Sequence, residues 1–338
     1  MQIVINGFGR IGRTILRQIL SQPRHDDIEV AFINDISPIK TCAYLFQYDS
    51  TFGPYPSTIG VENNGLVIGE KRIPFVQSSS LDQLDLSNVD VVLECTGKVQ
   101  SRNDAARGLK AGARAVLISG PSEHADITVV KGVNEKSVGD AEIVANSSCT
   151  TNAIAPFLRS VDLGLGIVRA HITTIHCYTG SQPMVDAPRG DLARSRAGAE
   201  SIVPTTTSAA SELAKVLPVV AKRTTVAAVR VPSLSVSSID ATIQLDSPIG
   251  ASATEMLQVI ADRSSVIGST NDPCVSRDLR ARPESLVLAL PETMVLGDTQ
   301  LRVFGWYDNE WGFSARMIEM ARILSARPNE KEGAHGTR

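Results

Sequence analysis

The residues best equipped to do chemistry in this chain are Cys149 and His176. Cys149 lies among small hydroxyl residues in Ser148-Cys149-Thr150-Thr151-Asn152, just past the apolar run Glu142-Ile143-Val144-Ala145-Asn146. That context suits a nucleophile at a strand-to-helix turn. A thiol attacks as its thiolate, and a helix N-terminus or a neighbouring imidazole lowers its pKa. The stretch Thr150 to Leu158 can open such a helix. His176 falls in the apolar run His171 to Thr179, far enough on for one helix and a return strand. A nucleophile with a base beside it is the arrangement covalent catalysis needs. The same two residues also fit an inert buried cysteine and a core histidine, because free cysteines are commonly buried for packing alone.

A second pattern opens the chain. The apolar run Gln2-Ile3-Val4-Ile5-Asn6 leads into Gly7-Phe8-Gly9-Arg10-Ile11-Gly12, and a helical pattern follows from Thr14 to Leu20. In such a G-x-G-x-x-G loop the first glycine makes the tight turn, the second admits a pyrophosphate, and the third lets helix pack on strand. The helix N-terminus then faces the phosphates. A second strand, Glu29 to Asn34, ends on Asp35. An acidic residue there can accept hydrogen bonds from a ribose. The separation from Gly7 to Asp35 exceeds the roughly 20 residues usual for this pattern. The polar loop Ser21 to Asp27 accounts for the excess.

The elements around these residues change character halfway. Strands are expected over Ile3–Asn6, Glu29–Asn34, Val89–Cys95, Ala115–Ser119 and Ile143–Asn146, with a helix over Arg102 to Ala111. Such alternation argues for a parallel sheet covered on both faces. Ligands then sit at the carboxyl ends of the strands. Gly7, Asp35, Thr96-Gly97, Ser119-Gly120 and Cys149 all fall at such ends, which brings cofactor and thiol to one rim. Beyond Cys149, β-patterned stretches dominate: Ile167–Thr179, Thr224–Val231, Leu234–Leu245, Leu286–Leu296 and Leu301–Tyr307. Few helices separate them, so an antiparallel sheet is expected. Helices are expected over Ala209–Leu217, after the capping box Ser252-x-x-Glu255 over Met256–Arg263, and over Ser314–Leu324.

The 338 residues suffice for two domains, and 43% hydrophobic residues fill a core in each. A net charge of −3 gives no reason to expect nucleic acid or an anionic membrane surface as partner. No apolar stretch approaches a membrane span. The chain enters a strand at once, so no signal peptide is expected. Five scattered cysteines (Cys42, Cys95, Cys149, Cys177, Cys274) fit a reduced, cytoplasmic protein without disulfides, and no Cys/His spacing suggests a metal site.

Taken together, these motifs make the chain resemble the phosphorylating glyceraldehyde-3-phosphate dehydrogenases. The resemblance rests on N-G-F-G-R-I-G-R (Asn6–Arg13), N-D (Asn34-Asp35), Y-D-S (Tyr48–Ser50), C-T-G (Cys95–Gly97), S-C-T-T-N (Ser148–Asn152) and H-C-Y-T (His176–Thr179). It continues through D-L-A-R-S-R-A (Asp191–Ala197), R-V-P-S (Arg230–Ser233) and W-Y-D-N-E-W-G-F (Trp306–Phe313). The resemblance implies an α/β chain: a Rossmann dinucleotide-binding domain over 1–148 and an α+β catalytic domain over 149–312 with a mainly antiparallel sheet. It implies that a helix over about 313–326 returns to the first domain, and residues 327–338 read as a loose polar tail. It further implies oxidation of glyceraldehyde 3-phosphate with inorganic phosphate and NAD, through a thiohemiacetal and a thioester on Cys149 with His176 as base. Gly7, Gly9, Arg10, Ile11, Gly12, Asp35, Thr96, Gly97, Ser119 and Asn309 would hold NAD. Thr179 and Arg230 would hold the substrate phosphate, and Ser148, Thr150, Arg194, Thr207 and Ser208 would serve the attacking phosphate. A homotetramer is implied, with the loop Gln182 to Ala199 packed on a neighbouring subunit.

Some positions depart from the usual pattern. Residue 153 is Ala rather than a second cysteine, and Cys177 stands where Ser is usual and is expected to point away from the site. Ser181 replaces Asp or Thr, Ser208 replaces a glycine, and Asn271 to Thr293 is atypical. Erythrose-4-phosphate dehydrogenase, which hydrolyses its thioester, is the nearest alternative. Retention of Thr179 and of Thr205 to Ser208 favours the phosphorylating reaction. Asp35, with no cation until Lys40, favours NAD, while the small Ala187 leaves room for some use of NADP.

Overall fold

The computed structural model describes residues 1–250 and 252–328, and over these the chain forms two sheets. The first contains β1 (Gln2–Asn6), β2 (Glu29–Asn34), β3 (Ile59–Glu62), β4 (Gly65–Ile68), β5 (Lys71–Val76), β6 (Val91–Glu94), β7 (Ala115–Ile118), β8 (Ile127–Thr128) and β9 (Ile143–Ala145). Their spatial order is β3-β4-β5-β2-β1-β6-β7-β9-β8. From β5 to β8 every pairing is parallel, and β3-β4-β5 forms an antiparallel ribbon on the edge. The ribbon was not anticipated from the sequence. Its turn, Asn63-Asn64, has both residues left-handed (φ +47° and +54°), the geometry of a tight hairpin. Strands β6, β7 and β9 are buried along their whole length, as a sheet covered on both faces requires.

Helices α1 (Arg10–Ser21) and α2 (Ile39–Gln47) follow β1 and β2. The helix expected over Arg102–Ala111 is two short pieces, α3 (Arg102–Ala105) and α4 (Arg107–Lys110), broken at Ala106. Gly108 is the contact point: a Cβ there would lie 2.9 Å from the methyls of Val92 and Val116.

α5 (Cys149–Leu165) leads to the second sheet. That sheet holds β10 (Ile167–Cys177), β11 (Val203–Thr205), β12 (Thr224–Val231), β13 (Ser237–Leu245), β14 (Ile267–Thr270), β15 (Leu286–Ala289), β16 (Met294–Leu296) and β17 (Gln300–Tyr307). Its order is β11-β12-β10-β13-β17-β15-β14, with β16 on β17. Most pairings are antiparallel, but β10 with β12 and β14 with β15 run parallel. Helices α6 (Ala209–Val216) and α7 (Pro218–Ala221) lie in the connection that returns β12 beside β10. The stretch Leu286–Leu296 is not one strand. Pro291 cannot donate to the ladder, and a tight turn at Leu290–Glu292 separates β15 from β16.

α8 (Ala253–Asp262) starts where Ser252 Oγ accepts from Glu255 N at 3.2 Å. α9 (Trp311–Ser325) returns to the first sheet. Phe313, Met317, Ile318, Met320, Ala321 and Leu324 join the core that contains Ile3, Ile15 and Leu93. Residues 329–338 of the tail read as loose lie outside the described residues.

Candidate active site

Cys149 sits where the two hydrophobic cores meet, packed against both. β9 ends at Ala145, and the chain turns through Ser147 at φ +56° into α5. Ser148 Oγ accepts from Thr151 N at 3.0 Å and caps the helix. Asn152 Nδ2 donates to Asn146 O (2.8 Å) and Ser148 O (3.0 Å), tying the turn to the first helical turn. Cys149 is therefore the first residue of α5, in the positive field of its N-terminus.

β10 carries His176 to this point, with Nε2 3.6 Å from Cys149 Sγ. His176 Nδ1 lies 2.7 Å from Cys177 O. A carbonyl can only accept, so Nδ1 carries the hydrogen and the Nε2 lone pair faces the thiol. Tyr307 forms the wall behind the ring, edge-on at 6.0 Å. Its buried hydroxyl is shared between Thr150 Oγ1 (2.9 Å) and Thr174 Oγ1 (2.7 Å). Burial pushes the imidazole down to about 4, with the Arg230 charge adding to the effect. Burial also pushes the Cys149 thiol up, against a counter-pull from hydrogen bonds to Thr150 and from Arg230. The resting pair is thus thiol and neutral imidazole, and the thiolate forms as its proton passes to Nε2.

Arginine and hydroxyl donors flank the pair. Arg230 is the register partner of His176 across β10 and β12. Arg230 Nη1 donates to Thr179 Oγ1 at 3.0 Å, and Thr179 Oγ1 lies 3.0 Å from Ser181 Oγ. Arg194 Nη2 donates to Thr206 Oγ1 at 3.2 Å and lies 3.4 Å from Asp191 Oδ2. Thr207 Oγ1 accepts from Ala209 N at 3.1 Å. Arg194 Nε, Arg230 Nε and Thr205 Oγ1 are buried without a partner, so a cluster of donors remains to be satisfied. Ser208 has φ −77°, a conformation open to any residue, so its replacement of glycine strains nothing. The Thr150 hydroxyl is buried against Tyr307, which makes that side chain part of the wall of the site.

The glycine loop meets its expected requirements. Gly7 has φ +93°, and a Cβ there would lie 2.6 Å from Thr96 N. A Cβ on Gly12 would lie 2.2 Å from Gly7 O. Gly9 faces open space, and no side chain caps α1, which leaves its first N–H groups free for an anion. A cavity of about 410 Å³ runs alongside, lined by Gly7, Gly9, Asp35, Thr96 and Lys98 among others. Asp35 Oδ2 accepts from Phe8 N (2.7 Å) and Oδ1 from Ser37 N (2.8 Å), which leaves lone pairs on the cavity side. Gly97 takes φ +64°, and Ser119 N donates to Glu94 O. The Arg10 side chain is committed to Asp49 and Glu310, so only its backbone N–H, like that of Ile11, is left for a cofactor. The residues present fit a dinucleotide.

Several contributors escaped sequence reasoning. Tyr307 reads there as one more strand residue. Lys98 also lines the cavity that Asp35 lines and brings a cation to it. Cys177, expected to point away from the site, instead touches one of its expected residues: its Sγ donates to Asn309 Oδ1 at 3.1 Å. Burial keeps that thiol protonated by pushing it up to about 12. No local sequence signal joins positions 177 and 309.

Residues 1–102 match the family described as glyceraldehyde 3-phosphate dehydrogenase, NAD binding domain, and residues 148–309 match its C-terminal domain. The chain is 42% identical to the glyceraldehyde-3-phosphate dehydrogenase of Xanthobacter flavus, over 95% of this chain and 97% of that one. Identity is 40% with the enzyme of that name from Zymomonas mobilis (96% and 98% covered). It is 38% with that from Geobacillus stearothermophilus (97% and 99% covered). With its cysteine–imidazole pair and glycine loop in the matched segments, the chain belongs to the glyceraldehyde-3-phosphate dehydrogenase family.

Proposed function

We propose that the protein oxidises glyceraldehyde 3-phosphate to 1,3-bisphosphoglycerate, with inorganic phosphate and NAD as co-substrates. The observation that carries this reading is Cys149 Sγ, 3.6 Å from an imidazole nitrogen held in its basic form, beside unsatisfied arginine donors. Cys149 Sγ bonds to the aldehyde carbon, and the carbonyl oxygen becomes the hydroxyl of a thiohemiacetal. His176 Nε2 takes that hydroxyl's proton as the carbon is oxidised to a thioester. NAD, when bound, supplies the acceptor for the two electrons. A phosphate oxygen then attacks the thioester carbon, the carbon–sulfur bond breaks, and Cys149 leaves as the thiolate.

Thr179 and Arg230 hold the substrate phosphate in this reading, and Ser148, Thr207 and Arg194 the attacking one. Guanidinium forks suit both tasks. Asn309, fixed by Cys177, presents its amide to the nicotinamide. Gly7 to Gly12, Asp35, Thr96, Gly97 and Ser119 hold the rest of NAD. Asp35 favours NAD over NADP by like-charge repulsion, and Lys98 in the same cavity leaves some use of NADP. The working division is 1–148 with the C-terminal helix, and 149–312, following the two sheets. We place the protein in the cytoplasm as a homotetramer; no described helix is long and apolar enough to cross a membrane.

The test is NADH formation from glyceraldehyde 3-phosphate and from erythrose 4-phosphate, with and without phosphate, repeated with NADP. The triose is expected to be oxidised faster, saturably in phosphate and with NAD preferred. A rate indifferent to phosphate would move the reading to the hydrolytic relative.

A further inference from the structure

Ser147 lies two residues before the nucleophile, is fully buried, and holds a left-handed conformation (φ +56°) without being glycine. A non-glycine residue in that region is strained unless its surroundings hold it. The holding contact comes from another element. Ser147 Oγ donates to Glu212 Oε2 at 3.0 Å, across 65 residues of sequence. Glu212 belongs to α6 and is 2% exposed, a burial unusual for a carboxylate. Its second oxygen accepts from Lys215 Nζ at 2.7 Å, so both oxygens are partnered. Glu212 N donates to Ser208 O at 2.9 Å, and Thr207 Oγ1 accepts from Ala209 N in the same turn. One buried carboxylate thus joins the turn that presents Cys149 to the helix that follows Thr205–Ser208.

We infer that Glu212 is a positioning residue: by fixing Ser147 in its left-handed turn, it sets the place of Cys149 at the start of α5. The turn has other ties, and one of them, Asn152 Nδ2 to Asn146 O, spans Ser147, but all of these come from α5 and its cap. Glu212 alone among the described side-chain bonds reaches this turn from α6. Without it, Ser147 can relax toward ordinary backbone geometry, which re-aims the next two residues. Cys149 Sγ then leaves the line to His176 Nε2, and thiolate formation by proton transfer slows. The glycine loop is spared, because it belongs to α1 and β1. The inference rests on Cys149 as nucleophile and not on which aldehyde is oxidised.

The experiment measures the iodoacetamide alkylation rate of Cys149, kcat and the NAD KM in Glu212→Ala, Glu212→Gln and Ser147→Ala. Alkylation does not depend on substrate identity, so it separates failure of this inference from failure of the proposed function. Glu212→Ala is expected to slow both alkylation and kcat about tenfold or more, with the NAD KM within about twofold of wild type. Glu212→Gln keeps an acceptor for Ser147 and recovers most of both rates. Ser147→Ala removes only a hydroxyl, leaves the Glu212–Lys215 pair intact, and is expected to slow alkylation in the same direction even if Glu212→Ala fails to fold. Wild-type alkylation in Ser147→Ala, or in folded Glu212→Ala, overturns the inference. So does a Glu212→Gln variant as slow as Glu212→Ala.

Discussion

At Cys149 and His176 the geometry makes a choice that pKa values alone would not. Both groups are pushed toward their neutral forms by burial, yet the Nδ1 bond to Cys177 O keeps Nε2 open as an acceptor. The base is therefore ready at any pH above about 4, and the proton moves only when the thiol is used. Loss of the base in His176→Asn should lower kcat by about two to four decades, as measured by NADH formation. Cys149→Ser should abolish turnover, and near-normal activity in either variant would remove the pair from the mechanism. A stability signature accompanies the buried imidazole. Its folded pKa, about 4, lies below the roughly 6.5 of an unfolded histidine, so between these values the unfolded chain binds more protons. The favourable share is complete above about 6.5 and is lost as pH falls toward 4. Urea midpoints should accordingly decline less steeply over that window in His176→Asn than in wild type. His25, also pushed down by burial, contributes in the same range, so the difference between the two proteins is the informative quantity. Identical slopes would show that His176 carries no such shift.

At the scale of elements, the glycine loop separates folding from binding within a few residues. Gly12 cannot accept a Cβ, which would lie 2.2 Å from a backbone oxygen, so Gly12→Ala must move α1 off β1 and should lower the melting temperature sharply. Gly9 has nothing within 4 Å of its virtual Cβ, so Gly9→Ala should melt like wild type yet bind NAD about tenfold more weakly or worse. Calorimetric titration with NAD alongside thermal melts checks both; a Gly9→Ala protein that binds NAD normally would remove the cofactor from this loop. This loop was legible because its residue types follow from local backbone needs. The strands Glu29–Asn34 and Thr224–Val231 and the cap at Ser252 were legible for the same reason. Leu286–Leu296 reads as one strand because hydrophobicity continues through it, although Pro291 marks the break. The parallel return of β12 beside β10 has no local signature, since strand direction depends on where α6 and α7 pack. The contacts of Cys177 with Asn309 and of Ser147 with Glu212 were invisible for that reason too: each joins elements that only the folded topology brings together.

For the whole molecule, the cofactor loop and the catalytic sheet are locked to one another by the ends of the chain. Arg10, one residue past Gly9, pairs with Asp49 and with Glu310 at the head of α9, and Gln18 Nε2 donates to Trp311 O at 2.8 Å. β17 brings Tyr307 to the His176 wall, and α9 continues directly into the first core. A single chain therefore holds both halves of the site in register. Among the large apolar side chains it leaves uncovered, several lie in the segment between Thr179 and Val203. Met184, Val185 and Ile202 are largely exposed, and Leu192 is 90% exposed. Large apolar side chains gathered on one loop are costly in water, and we propose that another protein covers them. The same loop carries Arg194, which donates to Thr206 beside the proposed attacking-phosphate site, so covering it would steady one of the donors proposed for that site. A second copy of this chain is the occupant expected from the family resemblance. Light scattering of the active enzyme should give four times the chain mass, and Leu192→Asp should shift it to smaller species. The phosphate KM of those species should rise more than the NAD KM, because Arg194 loses its support. A single-chain mass for fully active wild-type enzyme would show that the loop is stable uncovered and that the homotetramer is not needed for catalysis.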